Sequence, residues 1–174
     1  MKEQKGMIHL YMGKGKGKTT AALGLAIRAA GAGLQVSIIQ FLKGTPSNEF
    51  KSIEKIPNIS ITHFGRNKFL TENNHDPIDE QLAREGLDYA KKIINEQKSD
   101  LLILDEITIA VDFHLLKKEE VIQLLNKKPK KLTIVLTGRI ADEDFISISD
   151  LVTDLKEIKH PFQQGIKPQP GIDY

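Results

Sequence analysis

Residues 13 to 20 read Gly-Lys-Gly-Lys-Gly-Lys-Thr-Thr. Glycines at alternate positions let a backbone curl until successive N–H groups point into one small volume. Such a volume accepts anionic oxygens, and Lys18 adds a point charge while Thr19 adds a hydroxyl able to touch a divalent cation. An apolar strand precedes the run at residues 7–12, and a helix follows from about Lys18, its N-terminal end carrying a partial positive charge. Strand, glycine-rich loop, Lys-Thr and helix together are the parts of a P-loop, which cradles the phosphates of a nucleoside triphosphate, here read as ATP. Gly13, Lys14, Gly15, Lys16, Gly17, Lys18, Thr19 and Thr20 are the nucleotide-binding candidates. The strict pattern has Gly or Ala five residues before Gly17, where this chain has Met12, so the loop is a variant.

A second group completes the first. Leu101-Leu102-Ile103-Leu104 is a continuous apolar run followed by Asp105 and Glu106. Two carboxylates at the carboxyl end of a buried strand stand where open α/β sheets bind ligands, and acids there hold Mg²⁺ directly or through water. Thr137-Gly138-Arg139 follows another apolar run in the same way, and an Arg in that place reaches a phosphate through two parallel hydrogen bonds, or is simply a surface Arg at a turn. The five histidines, His9, His63, His75, His114 and His160, show no metal-ligand spacing and read as structural or exposed. No Ser with an arranged base stands out, and cysteine is absent. A P-loop gives binding, so the reaction has to be read from elsewhere.

The elements that position these groups alternate. Residues 7–12, 36–42, 101–104 and 132–136 read as buried strands, 59–62 as a weaker one and 152–158 as a last one. Residues 19–32, 76–97, 119–126 and 142–149 read as helices, the second with Asp76 as N-cap and Pro77 in its first turn. The alternation predicts an α/β fold, a mostly parallel sheet with helices on both faces, of the RecA-like P-loop kind. Residues 43–75 contain only the weak strand, and a connection of that length marks a substrate-covering region.

Composition bounds the partners. The 174 residues fit one domain, and 40% apolar with 28% charged residues is ordinary for a globular chain. A formal charge of +2 makes no bulk case for nucleic acid or an anionic membrane. The Lys127–Lys131 run reads as a solvated helix-to-strand turn. No apolar run approaches the roughly 20 residues of a membrane helix, and the start of the chain does not read as a signal peptide. The expected location is the cytoplasm.

The wider pattern resembles the P-loop class of ATP:cob(I)alamin (corrinoid) adenosyltransferases over nearly all of the chain after Gly6. The matching pieces are Gly13–Ala22, Gln40-Phe41-Leu42-Lys43-Gly44, Leu104-Asp105-Glu106-Ile107-Thr108, Thr137-Gly138-Arg139, and a tail of Lys159-His160-Pro161-Phe162, Gly165-Ile166-Lys167 and Gly171-Ile172-Asp173-Tyr174. The resemblance implies transfer of the 5′-deoxyadenosyl group of ATP to the Co(I) of a reduced corrinoid, with triphosphate leaving and ATP lying reversed in the loop. It further implies Thr19 and Glu106 as Mg²⁺ contacts, with Asp105 beside them, and Arg139 as a phosphate contact. Arg28 matches an Arg of the family in the helix after the loop. A homodimer and a reductant such as a flavoprotein are implied partners. Family members carry a Phe-x-Trp pair that displaces the lower cobalt ligand; here Phe69 falls at its first position and Thr71 at its second, with Phe64 a neighbour. They also often carry a long N-terminal segment over the corrinoid, whereas here five residues precede Gly6. A RecA-like nucleic-acid-dependent ATPase would share loop and fold, but the near-neutral charge and short chain weigh against it. A non-catalytic switch or corrinoid carrier is the third reading, and absence of turnover would favour it.

Overall fold

Six short runs rich in Val, Ile and Leu form strands: β1 (Ile8–Met12), β2 (Val36–Phe41), β3 (Ile59–Phe64), β4 (Leu101–Asp105), β5 (Thr133–Thr137) and β6 (Leu151–Asp154). The structure is a computed structural model and describes residues 5–44, 48–68, 70–72, 74–139 and 142–172. The strands make one sheet in the order β3-β2-β4-β5-β1-β6, every neighbouring pair parallel. β2 and β4 are buried along their whole length. That explains why their sequences are mostly apolar rather than alternating, with Ser37, Gln40 and Asp105 the buried polar exceptions.

Helices cover both faces. α1 (Lys18–Gly31) and α2 (Asn48–Ile53) lie on one. The alanines Ala22, Ala26, Ala29 and Ala30 let α1 pack closely on Val36, Ile38, Ile103 and Val135, with Phe50 and Ile53 of α2 beside them. α3 (Pro77–Glu96), α4 (Ile107–Asp112), α5 (Lys118–Asn126) and α6 (Glu143–Ile148) cover the other face. There Ala83, Leu87, Ile107, Leu124 and Phe145 close over Ile39, Phe41, Leu102, Leu104, Ile134 and Leu136. The N-terminus of α3 carries the expected Asp76 cap and Pro77, joined by a capping box with Asp79.

The differences from expectation are local. β3 runs on to Phe64, because its last residues continue the pairing with β2. β6 ends at Asp154, and beyond it the chain turns across the P-loop. α2 and α4 were not expected: six residues are too few to show a helical period, and the apolar start of α4 reads as more strand. Past the sheet, pairing persists in the loops. Leu42 N–H donates to Phe64 O at 2.9 Å and Gly44 N–H to Arg66 O at 3.1 Å. A side chain at Gly44 would meet the Arg66 backbone at 2.6 Å, so this closure requires glycine.

Candidate active site

The P-loop joins β1 to α1. Gly13 and Gly17 sit at φ 118 and 113, a region other residues avoid. Two outside carbonyls brace the loop. Gly13 N–H donates to Arg139 O at 3.1 Å, and Gly15 N–H to Leu155 O at 2.7 Å. Lys18 folds back, its Nζ donating to Gly13 O at 2.7 Å and Gly15 O at 2.8 Å. Burial lowers the pKa of this ammonium, while the Glu106 carboxylate pulls it back up.

Asp105 is almost fully buried, and three side chains saturate it. Its Oδ1 accepts from Thr19 Oγ1 at 2.9 Å and from Thr137 Oγ1 at 2.6 Å, and its Oδ2 accepts from Gln40 Nε2 at 2.9 Å. The Thr137 hydroxyl in turn accepts the Glu106 N–H at 2.9 Å. Glu106 itself takes a left-handed conformation, φ 62, at the turn from β4 into α4. Leu42, at the end of neighbouring β2, does the same at φ 66. Non-glycine residues take this conformation uncommonly; Gln97, which ends α3, and His114 also hold it, but Glu106 and Leu42 both line one cavity of about 700 Å³.

The cavity has two characters. Lys14, Lys43, Lys68 and Arg139 line it with cations and Glu72, Glu106 and Asp112 with carboxylates, while Leu42, Leu70, Ile109 and Phe113 supply an apolar wall. Glu106 Oε1 lies 3.9 Å from Lys43 Nζ. Its Oε2 is buried and finds no hydrogen-bond partner among the described residues. Burial first, then the charge of Asp105, raises the pKa of this carboxyl, with Lys43 and Lys18 opposing. An orphaned carboxylate oxygen on Glu106, and the Thr19 hydroxyl bonded to the neighbouring Asp105 with its proton committed there, are donors of the kind that suits a hard cation. Among the described residues no three His, Cys, Asp or Glu side chains converge on a metal position. Glu106 and Thr19 would therefore hold Mg²⁺ jointly with phosphate oxygens and water, the usual mode for this ion. Asp105, with its oxygens occupied, would act through Thr19.

Other candidates fall elsewhere. Thr20 and Lys16 are exposed beside the loop, with Lys16 Nζ donating to Ile172 O at 2.9 Å. Arg28 is solvent-exposed ten residues along α1 from Lys18, roughly 15 Å of helix rise. It does not line the cavity. Phe64 does not line it either: its ring lies on the α3 face, 5.8 Å from the ring of Tyr89. Phe69 lies outside the described residues. Reading the sequence missed the roles of Gln40, His63 and Leu155. Gln40 left one signal, a lone amide inside the apolar run Val-Ser-Ile-Ile-Gln-Phe. Nothing local marks the other two, because their partners are set by strand order.

Fold and site define a P-loop nucleotide-binding protein of the α/β class. A solved structure of similar fold is the KaiC-like protein PH0186 from Pyrococcus horikoshii OT3, with TM-score 0.57 and 18% identity, covering 89% of this chain and 75% of that one. The family model for ATP:corrinoid adenosyltransferase BtuR/CobO/CobP matches residues 4–174. The corrinoid adenosyltransferase of Escherichia coli K12 is 36% identical over 99% of this chain and 87% of its own length. The same figures hold for corrinoid adenosyltransferase CobA of Salmonella typhimurium. The chain belongs to the ATP:corrinoid adenosyltransferase family.

Proposed function

We propose that this chain transfers the 5′-deoxyadenosyl group of ATP to the Co(I) centre of a reduced corrinoid, releasing inorganic triphosphate. The observation that carries this reading is the cavity itself, which is lined both by Lys14 of the P-loop with Lys43 and Arg139 and by the apolar Leu42, Leu70, Ile109 and Phe113. The electron pair of Co(I) attacks C5′, a cobalt–carbon bond forms, and the C5′–O bond breaks with its electrons going to the triphosphate. No proton moves, so the protein need supply neither a nucleophile nor a general base.

What the protein supplies is placement and charge stabilisation. Lys18 exchanges its contacts with Gly13 O and Gly15 O for phosphate oxygens, and Lys14, Lys43 and Arg139 add positive charge around them. ATP lies reversed, as the family resemblance implies, with its triphosphate in the loop and its adenosine toward the apolar wall. Glu106 and Thr19 would hold Mg²⁺ with the phosphate oxygens, and the ion would supply charge neutralisation of the triphosphate when bound. The corrinoid stacks on the apolar wall, with Phe69 the candidate for its lower face. A flavoprotein-type reductant, a homodimeric working form and a cytoplasmic setting belong to the same reading and rest on resemblance and composition.

Stoichiometry tests the reaction. Turnover with ATP, Mg²⁺ and chemically reduced cobalamin yields one intact triphosphate per cobalt–carbon bond. ADP and orthophosphate rising in step with product would sink the assignment.

A further inference from the structure

Four polar side chains lie abreast near the carboxyl ends of four neighbouring strands. The sheet register sets Gln40 opposite Asp105 on one side and opposite His63 on the other. Thr137, one residue past the Leu104–Leu136 pair, extends the row onto β5. The side-chain period of two turns all four toward the α1 face, where Ile38, Ile61, Ile103 and Val135 of the same strands pack. Polar groups in an apolar layer are costly unless paired, and an apolar residue at 40 or 63 would be the simpler filling. Instead the row forms one connected chain that ends on the P-loop.

Chemistry fixes the direction of each bond. The Asp105 carboxylate only accepts, so Gln40 presents Nε2 to its Oδ2. The Gln40 Oε1 then faces His63 Nδ1 at 3.0 Å, and an amide oxygen also only accepts. His63 must therefore carry its proton on Nδ1. Its Nε2 is buried with no partner among the described residues, and the ring meets Phe50 edge-on with centroids 5.1 Å apart. Packing and tautomer together leave the ring one role, donation to Gln40.

We propose that Gln40 and His63 are positioning residues of the nucleotide site: His63 sets which way the Gln40 amide faces, and Gln40, with Thr137, holds Asp105 on the Thr19 hydroxyl. With its proton committed to Asp105, Thr19 keeps its oxygen lone pairs for the cation that accompanies the triphosphate. If the donor at 63 is lost, the amide is free to flip. Its oxygen would then oppose the Asp105 carboxylate, and the grip on Thr19 would slacken. The proposal rests on the nucleotide reading of the site but not on corrinoid chemistry.

Calorimetric titration of the full chain with ATP, with Mg²⁺ and again with EDTA, tests it without any corrinoid. Partners bonded directly to a metal ligand change affinity by about 10- to 100-fold. Gln40 and His63 act one and two bonds further out, through Asp105, so an effect of about threefold to tenfold is expected. His63→Leu and Gln40→Leu are each expected to weaken binding with Mg²⁺ by about that factor, and to match wild type in EDTA. His63→Asn, whose side-chain amide puts an N–H near the Nδ1 position, is expected to restore most of the Mg²⁺-dependent affinity. Nitrogen-15 spectra of the wild-type ring at slightly alkaline pH should show the Nδ1-protonated neutral tautomer, whatever the stability of the variants. Equal losses in His63→Leu and His63→Asn, losses of the same size in EDTA, or an Nε2-protonated ring would overturn the proposal. A wild-type chain that fails to bind MgATP would overturn the nucleotide reading and this proposal with it, whereas binding without adenosylation would overturn the corrinoid reading alone.

Discussion

Two regions of the site are built from bonds of different reach: the cluster around Asp105, which does not itself line the cavity, and the loop between β3 and α3, which does. On the phosphate side, Thr19 and Asp105 are 86 residues apart, Gln40 and Asp105 65 apart, and Thr137 and Asp105 32 apart. On the other side, the loop between β3 and α3 is tied mainly to its own neighbourhood. Thr71 N–H donates to Asn74 Oδ1 three residues on, Lys68 Nζ to Asn74 O six on, and Arg66 Nε to Asp79 Oδ1 thirteen on. Leu70 anchors the middle of this loop in the core, and the Gly44–Arg66 contact ties its root to the loop after β2. A cluster of long-range bonds inherits the rigidity of the whole sheet, and charge stabilisation needs that preorganisation. A locally tied wall depends on a few such anchors, among them the Arg66 clamp between Asp76 and Asp79.

That contrast breaks most visibly at Lys18. Lys18→Ala removes a charge donor to the leaving group and should slow adenosylation about a hundredfold or more while melting like wild type. Activity within a factor of about three of wild type would take the P-loop out of the chemistry. Arg66→Ala should act on the other region only. Half-saturation by the corrinoid is expected to rise on the order of tenfold, because a loosened loop misplaces the apolar surface. ATP affinity should stay unchanged, and if ATP affinity fell in parallel, the two regions would be one mechanical unit. The smallest expected effect is on stability. The Arg66 guanidinium holds the Asp79 carboxyl below its ordinary value of 3.8. This contribution is fully present above pH 3.8 and is lost as pH falls through the lower, folded-state value. Asp79→Asn should melt about 3 °C below wild type at neutral pH, with a shallower decline on acidification. Parallel melting curves for the two proteins across that range would mean that the clamp adds nothing to stability.

The same contrast decides what could be read before the structure. The P-loop and the Asp105-Glu106 pair are short contiguous patterns, and the buried strands are apolar runs, so the α/β class and the phosphate end were both legible. The Gln40–His63 contact was not, because it exists only once β3 lies beside β2, and strand order is not written in local spacing. His63 looked like any structural histidine for that reason. Phe64 stood in sequence as a neighbour of the candidate Phe69, yet the alternation along β3 turns Phe64 to the α3 face. α2 and α4 escaped because one or two turns of helix leave no periodic signature.

The tail across the P-loop has a practical consequence. The Leu155 carbonyl occupies the Gly15 N–H, and the Ile172 carbonyl holds Lys16. The stretch from 155 to 172 therefore braces the P-loop through both of its own ends, although it lies far from the loop in sequence. Ile158 and Ile172 are largely exposed on that stretch. A dye attached at either would sit close to the loop without altering any of its glycines or lysines, which makes the tail a natural place for an optical reporter of nucleotide arrival.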